Sequence, residues 1–70
     1  MMPGITIILN GLEERVPPSC TVAQLIQMFN EDHPDLIAEL NGRFLHPREY
    51  SSTRVRPGDR VEFIHAAFGG

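Results

Sequence analysis

Few side chains in this chain could make or break a bond. It has one thiol, Cys20, three imidazoles, His33, His46 and His65, and six basic residues that are all arginine. Without lysine, no Schiff base can form on a side chain. The histidines stand at no pairwise spacing that suggests a metal site, and neither a CxxC nor an HxxxH pattern occurs, so no metal is expected. His65 alternates with Val61 and Phe63 and reads as a strand histidine near the end of a sheet. Asp32, Asp35 and Glu39 read as a solvated acidic face, and Glu13-Glu14 and Glu31-Asp32 as surface charge. Cys20 lies just ahead of a helical pattern, where the helix N-terminus would lower a thiol pKa. No partner stands at a fixed spacing from it, and a small buried packing role fits better. No Gly-rich loop precedes a helix, so nucleotide phosphates have no such cradle.

One reactive group remains, the main-chain carboxylate of Gly70. Its ordinary pKa of about 3.3–3.7 leaves it ionised at neutral pH. A carboxylate is a poor electrophile, so a partner must activate it, and acyl-adenylation with ATP would do so. Gly69 and Gly70 carry no Cβ, which leaves the carbonyl open and lets the chain pass through a narrow slot. Five residues from Ala66 onward reach about 16 Å at about 3.3 Å per residue. By composition alone, two terminal glycines read first as a frayed end. The arm is the second reading at this point.

The elements that would hold such an arm follow from the alternation of residue types. Ile5 to Leu9 is expected as a first strand, with Ile5, Ile7 and Leu9 on one face. Asn10-Gly11 suits a type I′ turn into a second strand, Leu12 to Val16, which Pro17-Pro18 stops. Thr21-Val22-Ala23-Gln24 has the form of a capping box, with Cys20 and Leu25 as a hydrophobic staple. Val22, Leu25, Ile26 and Phe29 keep the spacing of a buried helical stripe, and the helix should end near Asn30, before His33-Pro34. Leu36 to Leu40 reads as a third strand, Asn41-Gly42 as a second turn of the same kind, and Arg43 to His46 as a short return strand. Residues 48–56 are polar and irregular, with Tyr50 and Val55 as anchors. Pro57-Gly58-Asp59 turns the chain into a last strand from Val61.

One helix covers one face of a small mixed sheet, an α+β layout. Placing the last strand beside the first, in the middle and parallel to it, gives the β-grasp or ubiquitin-like arrangement of four to five strands. The expectation is a single domain over residues 1–70, with residues 67–70 as a flexible tail. A chain of 70 residues supports one compact core and leaves little room for an enzyme's pocket. The formal charge of −3 and the lack of a basic stripe argue against nucleic acid. A single cysteine suggests a reducing compartment, the cytoplasm, and neither a signal peptide nor an 18-residue apolar run is visible.

In Thr21-Val22-Ala23-Gln24-Leu25, in Leu40-Asn41-Gly42 with Pro47-Arg48 and Tyr50, and in Pro57-Gly58-Asp59-Arg60-Val61-Glu62 leading to Gly69-Gly70, the sequence resembles the ThiS family of small sulfur carriers of thiamin biosynthesis. The likeness covers nearly the whole chain in order, and it promotes the arm over the frayed end. It implies a β-grasp fold and a monomeric carrier rather than an enzyme. A ThiF-like adenylyltransferase would activate Gly70 with its own ATP and Mg²⁺, and a persulfide donor system would convert Gly70 to a thiocarboxylate. Thiazole synthase would then take the sulfur. The carrier itself binds no cofactor, and Gly69 with Phe68 threads the partner's channel. Phe68 stands where family tails usually place a small or aliphatic residue, and Phe63-Ile64-His65 is bulkier and more aromatic than the resemblance leads one to expect. Carriers for molybdopterin, cysteine or homocysteine synthesis share the Gly-Gly end, as do ubiquitin-like modifiers, and these are the alternatives. Ile8, Ile64 and Phe68 are expected to face the partner, because alternation leaves apolar residues on the side no helix covers. The competing expectation is that residues 48–56 fold over them.

Overall fold

The computed structural model describes residues 4–65. Strand β1 (Ile5–Leu9) and strand β2 (Leu12–Val16) form the opening hairpin, in register from Ile5 opposite Val16 to Leu9 opposite Leu12. Asn10 and Gly11 take φ of 50° and 83°. A two-residue I′ turn needs this left-handed pair, and asparagine and glycine reach it at least cost. Asn41 and Gly42 repeat the solution, at 52° and 82°, between β3 (Leu36–Leu40) and β4 (Arg43–Leu45). Leu12 shares a face with Val16 by alternation, but it lies next to the turn and is 66% exposed.

Helix α1 spans Val22–Met28. The Gln24 amide donates to the Thr21 hydroxyl at 3.1 Å, and the Gln24 side chain accepts from the Thr21 amide at 2.8 Å. This is the capping box that the sequence spells. The helix ends slightly ahead of the expected Asn30, and the proline is not what stops it. Asn30 turns left-handed at φ 57°, while its amide donates to Gln27 O and the Glu31 amide to Ile26 O. Those two bonds form a Schellman motif, with asparagine in the place glycine usually takes.

Residues 48–56 are more ordered than their composition implies. A 3₁₀ turn occupies Pro47–Glu49. The Tyr50 and Thr53 carbonyls then accept the Ala23 and Val22 amides, and the Val55 amide donates to Cys20 O. Two helix amides that would lack intrahelical partners are met in this way. The segment is therefore committed to the start of α1 on the helix side of the sheet.

Strand β5 (Arg60–His65) enters last and takes the middle place in the order β2-β1-β5-β3-β4. It runs parallel to β1 and antiparallel to β3, as the β-grasp arrangement requires. Ile7, Leu9, Val16, Cys20, Val22, Leu25, Ile26, Ala38, Leu45, Val55, Val61 and Phe63 form the buried core, with Tyr50 and Phe29 packed against it. No charged side chain is buried among the described residues.

Both turn asparagines also serve β5. β1 ends at Leu9, opposite Val61, so Phe63 has no β1 residue to pair with. The Asn10 carboxamide oxygen accepts the Phe63 amide instead, at 2.8 Å. On the other side Asn41 Oδ1 accepts from the Arg60 amide at 2.9 Å. Asn10→Gly keeps the turn conformation and removes the acceptor. It should lower unfolding free energy by about 1–3 kcal/mol, the usual cost of an orphaned buried amide. Asn10→Asp, which keeps an acceptor, should lose less, as urea denaturation of the two variants will read.

Candidate functional site

Gly70, Gly69 and Phe68 lie outside the described residues, as do the leader Met1–Pro3 and Ala66-Ala67. The described chain ends at His65, the last residue of β5. The functional question therefore concerns the end of β5 and the sheet face that surrounds it.

Strand alternation and register assign the open face. β1 contributes Thr6 and Ile8, β5 contributes Arg60, Glu62 and Ile64, β3 contributes Ile37 and Glu39, and β4 contributes Phe44. Ile64 is 41% exposed and Phe44 53% exposed, while Ile8 and Ile37 are half-buried. Residues 48–56 pack on the helix side, so they do not cover Ile64. Ile8 and Ile64 are not neighbours, however. Ile8 lies opposite Arg60, four residues before Ile64 on β5, about 13 Å away at about 3.3 Å per residue. Ile64 instead lies opposite Ile37, with Phe44 diagonal to that pair. Register supplies Ile37 and Phe44, which alternation within one strand could not assign to this group.

Between the two apolar spots, Glu62 lies directly opposite Glu39. Like charges facing across a ladder repel. Neither takes part in an ion pair among the described residues. Glu39 therefore belongs to this face and not to a shared acidic surface with Asp32 and Asp35.

His65 sits on the other side, against the segment that joins α1 to β3. Its Nε2 lies 2.5 Å from Glu31 Oε1 and its Nδ1 lies 3.7 Å from Asp35 Oδ1. The His33 ring meets it edge-on, centroids 4.8 Å apart. Read as surface charge from the sequence, Glu31 and Asp35 are in fact partners of His65. The hydrogen bond to Glu31 holds the His65 pKa above its ordinary value against the opposing effect of burial, with help from the charges of Glu31 and Asp35. No group of three or more His, Cys, Asp and Glu side chains is placed to hold a metal ion among the described residues.

Cys20 is 3% exposed, and burial raises its thiol pKa. The cap position does not activate it, because desolvation disfavours the thiolate. No described helix is long and apolar enough to cross a membrane.

Comparison with known proteins now bears on these features. The ThiS family model matches residues 4–70. The crystal structure of a thiamine biosynthesis protein, ThiS, from Geobacter metallireducens superposes with a TM-score of 0.83 at 29% identity. The match covers 94% of this chain and 100% of that one. A solution NMR structure of a thiamine biosynthesis protein from the same organism superposes with a TM-score of 0.75 at 28% identity, over 94% of this chain and 88% of that one. No curated protein matches.

Two outcomes follow from the titrating groups. His65 keeps its proton to higher pH when folded than when unfolded. The stabilisation by its carboxylate partners is thus complete below about pH 6.5 and is lost as pH rises through the raised folded value. The melting temperature of His65→Gln should fall below that of the unmodified protein at pH 5.5 and converge with it by pH 8.5. Native Cys20 should react with an aromatic disulfide at least about a hundredfold more slowly than after unfolding in urea, as absorbance of the released thiolate will measure.

Proposed function

The chain belongs to the ThiS family, and from that membership we propose that it is a sulfur carrier of thiamine biosynthesis whose working group is the Gly70 carboxylate. The observation that carries the reading is the family match running through residue 70 on a fold whose central strand leads directly into that terminus. The chain acts in the cytoplasm as a monomeric protein substrate rather than as an enzyme. Its buried, protonated cysteine and its lack of lysine support that division of labour.

In the cycle, a carboxylate oxygen of Gly70 attacks the α-phosphorus of ATP held with Mg²⁺ by a ThiF-like enzyme, and pyrophosphate leaves. The acyl-adenylate has a good leaving group where the carboxylate had none. A persulfide sulfur attacks the acyl carbon and expels AMP, and a thiol reduces the resulting acyl disulfide to release the Gly70 thiocarboxylate. A thiazole synthase then accepts the sulfur. Gly69 and Gly70 suit these steps because no side chain crowds the reacting carbonyl. Phe68 demands a wider entrance to the partner's channel than a small residue would.

Docking is assigned to the open face. Ile64 and Phe68 press on an apolar patch of the activating enzyme, supported by Ile37 and Phe44, while Ile8 contacts it beyond the Glu39–Glu62 pair. Exposed Ile64 and Phe44 fit such contact better than they fit solvent.

Mass spectrometry checks the chemistry. Incubated with its activating enzyme, ATP and a sulfur donor, the protein should gain about 16 Da, the difference between sulfur and oxygen. Deleting Gly70 should abolish the gain. A ladder of larger conjugates would instead identify a protein modifier. Ile64→Asp should leave the melting temperature within about 2 °C of the unmodified value and reduce adenylation at least about tenfold, as a buried interface residue of this kind would. Unchanged adenylation in that variant removes Ile64 from the docking face.

A further inference from the structure

The end of β5 is held unevenly. Its first half lies between two strands, with Arg60 and Val61 opposite Ile8 and Leu9 on one side and Val61 opposite Leu40 on the other. Past Val61, β1 has already turned away, and the Asn10 side chain reaches only as far as the Phe63 amide. Among the described residues Ile64 and His65 keep β3 alone as a strand neighbour, opposite Ile37 and Leu36. A strand end held along one edge frays readily. It has one additional tie. The His65 side chain bonds Glu31, faces Asp35 and stacks edge-on against His33. All three belong to the segment between α1 and β3, and Leu36, its register partner, carries no charge.

Resting on the carrier reading above, we infer that His65 is a positioning residue for activation of the terminus: its tie to Glu31 and Asp35 fixes the root from which the last five residues set out. The physical reason is entropic. When the activating enzyme takes up Gly70, every residue between the folded body and the reacting carbonyl must be ordered. A root fixed at His65 spares the enzyme the ordering of His65 and Ile64, which a frayed root adds to that cost. Ordering one additional backbone residue reduces affinity by a factor of about 5 to 30. Because the chemistry at Gly70 is untouched, the loss falls on KM and not on kcat. The tie is an ion pair only while the imidazole carries its proton, so positioning weakens as the pH rises through the His65 titration.

The test compares the full-length protein with His65→Gln, His65→Arg and Glu31→Gln as substrates for adenylation, read as pyrophosphate release between pH 6 and 8.5. At pH 6, His65→Gln and Glu31→Gln should show KM raised at least about fivefold at unchanged kcat. The ratio of KM for His65→Gln to that of the unmodified protein should approach one by pH 8.5. His65→Arg, a permanent cation, should keep a low KM across the range. A ratio that does not change with pH, a loss in kcat alone, or an arginine variant as poor as the glutamine variant overturns the inference. Amide hydrogen exchange in the free protein separates this result from the carrier reading. At pH 6 the Ile64 amide should exchange faster in His65→Gln, while that of Ile7 stays protected. Equal Ile64 exchange in the two proteins sinks the positioning role. Failure of every form to be adenylated, with the exchange difference present, sinks the carrier reading and leaves the tie standing.

Discussion

Everything in this molecule depends on satisfying the main chain of β5. The strand arrives last in sequence yet lies in the middle of the sheet, between two hairpins that are complete without it. A buried strand cannot leave its amides and carbonyls unpaired without a cost comparable to that of a lost hydrogen bond. β1 supplies partners for only part of its length, and the remainder falls to β3 and to the carboxamide of Asn10. The asparagines of the two turns thus have two functions. Each supplies a left-handed residue to its own hairpin and a side-chain oxygen to the strand between them.

The same placement separates the two faces of the sheet. On the helix side, Val61 and Phe63 join an entirely apolar core, closed at one end by the Tyr50–Val55 segment as it binds the first amides of α1. Among the described residues the seven-residue helix has no counterpart on the other side. That side keeps exposed Ile64 and Phe44 around an acidic pair in which Glu62 faces Glu39. Stability alone would select neither apolar exposure nor facing like charges. Such departures from local consistency are expected where a surface serves a partner.

Much of the fold could be read along the chain because its signals are local. Asn-Gly between alternating runs, Thr-x-x-Gln ahead of a helical stripe, and Pro-Gly before the final run each encode a backbone conformation within four residues. The helix stop was harder to read, since Asn30 in the left-handed region acts as the terminator while the nearby Pro34 gives the louder signal. In the ordered run at Pro47–Val55 only the two anchors, Tyr50 and Val55, were legible. Its polar residues carry no period, and their order comes from helix amides about thirty residues away. Among the candidate docking residues, Ile64 was legible as exposed. Its true neighbours, Ile37 and Phe44, became visible only with the register.

By itself, then, the sequence determined the strands and the capped helix, the β-grasp order and the family, because turns, caps and strand periods are short-range codes and the ThiS motifs occur in order. The tertiary structure alone decided which side chains meet. His65, Glu31 and Asp35 are separated by at least thirty positions between strand and loop, and they come together only because β5 pairs with β3 in one register. A shift of one residue would turn His65 to the opposite face and leave the same sequence without that contact.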